Sequence, residues 1–207
     1  MFSIIKMVKF LLLCGYRGTG KDTFVNDLLY RKENWCVYSK NMDNIDEVYK
    51  PRSRLGLADS VKKEVAKLCG LPISVSQIDN LKDVMMISGR KLREYLIEQT
   101  GRKALENKFY WEEEAMKEVE EDDDYVISDF RYKRTLEYFK DKCLTARLFR
   151  MEVKIPIEKE KTEHILDDLE TDFLLLPVDN HEEQFKKCCD TFKQYSEYKL
   201  IYNPKKV

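Results

Sequence analysis

Between Leu11 and Leu29 the chain reads LLLCGYRGTGKDTFVNDLL, and this stretch constrains the fold more than any other. Three of the seven glycines, Gly15, Gly18 and Gly20, stand between an apolar run and a segment of helical pattern. Gly15-x-x-x-x-Gly20-Lys21 has the spacing of a phosphate-binding P-loop, with Asp22 where that motif carries Ser or Thr. Glycines let successive backbone N–H groups turn inward as an anion nest, and the following helix adds its positive N-terminal end. Such a loop implies a strand before it and a helix after it. The candidate nucleotide contacts are therefore Gly15, Arg17, Gly18, Thr19, Gly20, Lys21, Asp22 and Thr23. A carboxylate beside a triphosphate is repulsive unless a cation lies between them, so Asp22 is a candidate Mg²⁺ ligand, directly or through water.

The chain of 207 residues fits one α/β domain, and its 43% hydrophobic and 12% aromatic content predicts a folded core. A net charge of −1 leaves no global field to attract nucleic acid or an anionic membrane, so anion binding must come from local Lys and Arg. The six cysteines have no metal-type spacing and read as reduced thiols filling the core of a cytoplasmic protein. The apolar run from Phe10 to Cys14 is too short for a signal peptide, and no run approaches transmembrane length.

Val8 to Cys14 predicts a strand buried on both faces, and about Lys21 to Arg31 a helix. Residues 32–56 read as polar and irregular. Asp59 is expected to open an amphipathic helix stopped by Gly70, a second helix carries Leu92, Tyr95 and Leu96 and ends near Gly101, and Asn107 caps a third. Strands are expected at Tyr125–Asp129, about Ala146–Val153 and Phe173–Leu176, with a closing helix through Phe185, Cys188, Cys189 and Phe192. Strands alternating with helices imply a three-layer fold around a mostly parallel sheet. Within it, residues 59–119 are expected to be mainly helical, and residues 150–168, poor in apolar periodicity, to be a mobile lid. His164 and His181 are not a metal pair and are assigned to the surface.

Asp129 closes the predicted strand YVISD, at the sheet edge where the glycine loop also lies, and can position Mg²⁺ or its waters. Arg131 follows and can fork onto a phosphate. Seven of the eleven arginines fall between Arg90 and Arg150, as expected where two phosphate groups must be gripped. Arg93 and Arg102 flank a segment with Gln99, while Arg147 and Arg150 enter the expected lid.

The order GYRGTGKDT, LADSVKKEVAKLCGL, LREYLIEQTGR, NKFYW, YVISDFR and TEHILDDLETDFLLL resembles the deoxynucleoside monophosphate kinases of bacteriophages and large DNA viruses. The likeness runs from about Val8 to Phe192. It implies a P-loop kinase using ATP and Mg²⁺ on a small-molecule deoxynucleoside monophosphate, in the cytoplasm of a host cell if viral. Catalysis would fall to Lys21, Asp129 and Arg150, with Arg147 on the nucleotide. Asp59, Lys62, Arg93, Gln99, Arg102 and Arg131 would lie on the acceptor side, with Trp111 as a wall of that site. No nucleic-acid or membrane partner is expected, and a homodimer is the candidate assembly. The sequence departs from the family at Ile97, where the helix usually carries Gln, and at Lys133-Arg134-Thr135. Animal phosphomevalonate kinases share the GKD loop and the strand-end aspartate and arginine, and are the rival likeness. A nucleotide-binding module without transfer activity is the alternative of another class.

Overall fold

The computed structural model describes residues 10–43, 45–72, 74–154 and 164–206. These form two compact units: a helical one, Gly56–Val119, and one built from the flanking chain up to Leu55 and from Glu120. Among the described residues no helix is long and apolar enough to cross a membrane.

The flanking unit is a mixed α/β fold on a seven-stranded, mostly parallel sheet. Its strands are β1 (Phe10–Cys14), β2 (Trp35–Ser39), β3 (Ser53–Arg54), β4 (Tyr125–Ile127), β5 (Cys143–Leu148), β6 (Phe173–Pro177) and β7 (Lys199–Tyr202), in the order β3-β4-β1-β5-β6-β2-β7. All pairs are parallel except those made by β2, which runs against β6 and β7. β1 is central, its five residues FLLLC wholly buried, as a continuous apolar run requires of a strand covered on both faces.

Alternation along the strands sorts the helices onto the two faces. Leu11, Leu13, Val37, Phe173 and Leu175 pack with Phe24, Val25 and Leu28 of α1 (Lys21–Leu29). Cys36, Tyr38, Leu174 and Leu176 pack with Cys188 and Phe192, at the end of the helix His181–Thr191. The ring of Phe10, also on this second side of β1, lies 4.5 Å from that of Phe139 in the helix Lys133–Phe139. Helix, sheet and helix thus make three layers.

The stretch 32–56 is not irregular. WCVYS is fully buried as β2, tied to α1 by the Trp35 Nε1 hydrogen bond to Asp27 Oδ2 at 3.0 Å, and a short α2 (Asp46–Tyr49) follows. The strand expected over 146–153 instead spans 143–148 as β5, where Thr145 is held by Asp172.

The helical unit consists of α3 (Leu57–Leu68), α4 (Val75–Leu81), α5 (Leu92–Glu106) and α6 (Tyr110–Met116) around Val61, Val65, Ile78, Leu92 and Trp111. α3 starts two residues before Asp59, which therefore lies in its first turn. Gly70 (φ 63°) closes α3 as expected: its N–H bonds to Lys67 O at 3.2 Å, and that of Leu71 to Ala66 O at 2.9 Å. This is a Schellman stop, in which glycine takes the left-handed position. α5 runs through Gly101 to Glu106. Asn107 sits two residues before the N-cap of α6, its Oδ1 accepting from the N–H of Phe109 at 3.0 Å.

Candidate nucleotide site and the helical unit

The glycine loop follows directly from the central strand. Gly15, Gly18 and Gly20 all have positive φ (142°, 87° and 92°), which only glycine adopts freely. At Gly15 the demand is also steric. A Cβ would stand 2.6 Å from Leu148 O and 2.9 Å from Thr19 Oγ1, so the loop is seated on the end of β5. Thr19 is buried, its hydroxyl donating to Tyr16 O at 2.9 Å and its N–H to the same oxygen at 3.2 Å. α1 has no side-chain cap on its first N–H groups. Lys21 Nζ lies back over the loop, 2.5 Å from Gly15 O and 3.0 Å from Tyr16 O. Two loop carbonyls thus hold the ammonium over the loop.

Asp129 is brought to the same edge. Asp129 lies two residues past the end of β4, whose Ile127 pairs with Leu12 of β1. Arg131 is exposed two residues further on. Asp22, 77% exposed, has Oδ1 3.3 Å from Arg54 Nη2 on β3. Arg17 and Thr23 are exposed as well. Among the described residues no cluster of three or more His, Cys, Asp or Glu gathers as a metal cage. Asp22 and Asp129 fit instead the sparse protein contribution to Mg²⁺ on a nucleotide, one or two carboxylates with phosphate oxygens and water.

The two arginines expected at the lid part company. Arg150 lies against the loop: its guanidinium carbon is 3.5 Å from where a Cβ on Gly20 would be and 5.4 Å from the centroid of the Trp35 ring. Among the described residues its buried Nε has no hydrogen-bond partner. Arg147 is 3% exposed, donates to Tyr195 Oη at 2.9 Å and to Leu166 O, and stacks over Phe192 at 4.7 Å. Burial alone would lower its pKa, but Cys14 and Tyr195 beside it leave it raised. Its charge is spent on the core beneath the loop, which takes it out of contact with a nucleotide. Of the expected lid, residues 155–163 lie outside the described residues.

Two contacts around the loop had no clear sequence signal. Tyr16 donates its hydroxyl to Asp167 Oδ2 at 2.8 Å, and His164 Nδ1 lies 2.7 Å from the same oxygen. The first turn of the loop is thereby tied to residues 164–167. His181, assigned to the surface from sequence, is buried between Tyr38 Oη (2.6 Å from Nδ1) and Asn203 Nδ2 (3.1 Å from Nε2).

The helical unit uses its expected site residues largely on itself. Lys62 is buried and bridges Asp59 Oδ1 (2.9 Å) and Asp79 Oδ2 (2.8 Å). Burial alone would lower its pKa, but those two carboxylates raise it. Asp59 folds back over Gly56, where a Cβ would meet Asp59 Oδ2 at 2.3 Å. Gln99 is buried and donates to Glu64 Oε1 at 2.5 Å, and Tyr110 donates to Oε2 of the same carboxylate at 3.2 Å. Trp111 is 3% exposed, in the core, with Nε1 on Thr100 O at 3.2 Å. That position makes it a core residue and not the wall of a base site. Arg93 forms a bidentate pair with Asp83 (3.0 and 3.1 Å), and Arg102 is exposed on α5.

No protein-family model matches the chain, and no curated protein matches it. Among solved structures it is similar to shikimate kinase from Aquifex aeolicus, at 17% identity and a TM-score of 0.30 over 90% of this chain and 79% of that one. It is also similar to shikimate kinase from Bacteroides thetaiotaomicron, at 13% identity and a TM-score of 0.26 over 90% and 82%. Similarity of this degree says nothing about a substrate. The fold stands on the strand order and register given above.

Proposed function

We propose that the protein is a P-loop phosphotransferase that moves the γ-phosphoryl group of ATP to a deoxynucleoside monophosphate. One observation carries the reading: the glycine loop follows directly from the central strand with Lys21 held over it by two carbonyls, and Asp129 follows the end of the neighbouring parallel strand β4. In such a site an oxygen of the acceptor phosphate attacks the γ-phosphorus while the bond to the β-phosphate oxygen breaks and ADP leaves. The protein's share is position and charge. Backbone N–H groups of Gly18, Gly20 and Lys21 would bind the β-phosphate, and Lys21 follows the charge that develops on the transferred group. Arg150, with an unpartnered Nε beside Gly20, is placed to join it. Asp22 and Asp129 would hold Mg²⁺, which would neutralise the phosphate oxygens.

On the acceptor side the reading keeps Asp59, Lys62, Arg93 and Arg131. It gives the aromatic contact to the half-exposed Phe109 and Tyr110 in place of Trp111. An apolar surface at C2′ leaves a ribose hydroxyl unpaired, which corresponds to roughly tenfold to hundredfold preference for deoxy acceptors. The experiment is ADP release with ATP and each deoxy- and ribonucleoside monophosphate, with phosphomevalonate alongside. Turnover of at least one of dTMP, dGMP or dCMP, with its ribo counterpart slower, is expected. Turnover of phosphomevalonate alone sinks the nucleotide assignment. A second reading, a nucleotide-binding module, is favoured by the pairing of Lys62 and Arg93 within the helical unit. Binding of ATP with no acceptor-dependent ADP release would establish it.

A further inference from the structure

Helix α5 has apolar side chains on two faces. Leu92 and Gln99 point into the helical core. On the opposite side, at the i, i+4, i+8 spacing of one helical stripe, stand Ile97 (66% exposed), Gly101 and Leu105 (90% exposed). Glycine is among the weakest helix formers, and a Cβ at Gly101 would meet nothing within 4 Å. Among the described residues no contact therefore calls for glycine at the middle of this exposed face. Beside the stripe lie Glu98 and Arg102, on one flank. Glu98 offers one oxygen to Arg90 at 2.7 Å, and Arg102 ion-pairs with no described residue.

We propose that this face is a self-association surface, on which a second copy of the chain lays its own α5 antiparallel across a twofold axis at Gly101. The stripe is complementary to itself under that operation. Ile97 meets Leu105 of the second copy, and Gly101 meets Gly101, where the missing side chains let the backbones approach. An antiparallel twofold also sets like flank against like flank, so Glu98 of each copy comes beside Arg102 of the other, twice. An isologous interface requires this reciprocity; an unrelated partner would not. At 1.5 Å per residue α5 is about 22 Å long, so one helix pair buries less than the roughly 1,200 Å² of a standard interface. The dimer is accordingly reversible, in the micromolar range.

Analytical ultracentrifugation of the full chain from about 1 to 100 μM brackets such an equilibrium. The parent is expected to pass from monomer to dimer across that range. Ile97→Glu should raise the dissociation constant at least tenfold with an unchanged circular dichroism spectrum. Glu98→Arg should also weaken the dimer, and Glu98→Arg combined with Arg102→Glu should restore it, a rescue that nonspecific surface damage cannot give. Gly101→Cys should yield a disulfide-linked dimer on mild oxidation under conditions where the parent does not crosslink, because only residues at the axis bring two Cα atoms within about 7 Å. A parent that stays monomeric throughout overturns the proposal. So does a dimer that Ile97→Glu leaves intact or that the charge exchange fails to rescue. None of these measurements uses catalysis, so they stand or fall apart from the proposed activity.

Discussion

The sheet unit and the helical unit treat their functional candidates in opposite ways. Around the glycine loop the backbone does most of the work: Lys21 is held by two loop carbonyls, Asp22 is exposed beside Arg54, and Asp129 follows the end of β4. In the helical unit the candidates are long side chains on helices, and most are engaged with neighbours: Lys62 with two aspartates, Gln99 with Glu64, Arg93 with Asp83, Trp111 with the core. A phosphate nest is specified by conformation and is hard to use for anything else. A charged side chain on a helix has many possible partners.

The sharpest way to test that contrast is Trp111→Ala. Removing a buried indole costs about 3–5 kcal/mol, and the loss should fall on the helical unit, read as an early thermal transition while ATP binding persists below it. Loss of both together would mean that the two units are not separable in stability. Next in size is Lys21→Ala, expected to lower kcat by about 10²–10³-fold with the melting temperature unchanged. A turnover close to the parent's would remove the loop from the chemistry. Asp22→Asn and Asp129→Asn should each raise the Mg²⁺ concentration for half-maximal rate by about tenfold. If titrations of both variants overlay the parent, these carboxylates merely decorate the loop.

The smallest effect belongs to the helical unit's ion chain. Burial would raise the pKa of Asp79, but the hydrogen bonds from Lys62 and Lys82 hold it below the usual aspartate value. A carboxylate depressed in the folded state stabilises above its unfolded pKa, about 4, and that contribution fades as pH falls through the lower folded value. At partly exposed sites such a pair is worth about 0.2–1 kcal/mol. Melting curves of the parent and Asp79→Asn should therefore differ at pH 6 and converge below pH 4. A constant difference across that range would assign the effect to packing.

What could be read from sequence follows the same division. β1, α1, β4 and the Gly70 stop are local: an apolar run, a glycine spacing or a single left-handed residue specifies each within a few positions. β2 escaped because WCVYS is embedded in polar chain and its reversed direction is decided by β6 and β7, far away in sequence. α5 outran Gly101 because Leu92 and Gln99 below it and the Trp111 bond to Thr100 hold the helix where propensity alone would release it. The glycine loop was legible because backbone conformation defines it, at Gly15, Gly18 and Gly20. Arg147 was not, because an arginine that fills the core and one that grips phosphate are the same letter. Arg54, the partner of Asp22, carried no pattern at all.

The register of β1 fixes the order in which the molecule can be assembled. Its neighbours, β4 and β5, begin at residues 125 and 143, and the carbonyl that seats Gly15 belongs to Leu148. The helical unit is contiguous and complete by Val119, so on a growing chain it can fold on its own contacts while the apolar strand FLLLC is still waiting. Long-range strand pairing of this kind is slow and leaves hydrophobic edges uncovered. During synthesis β1 is therefore the segment that needs shielding, for as long as it takes to make the next hundred or so residues.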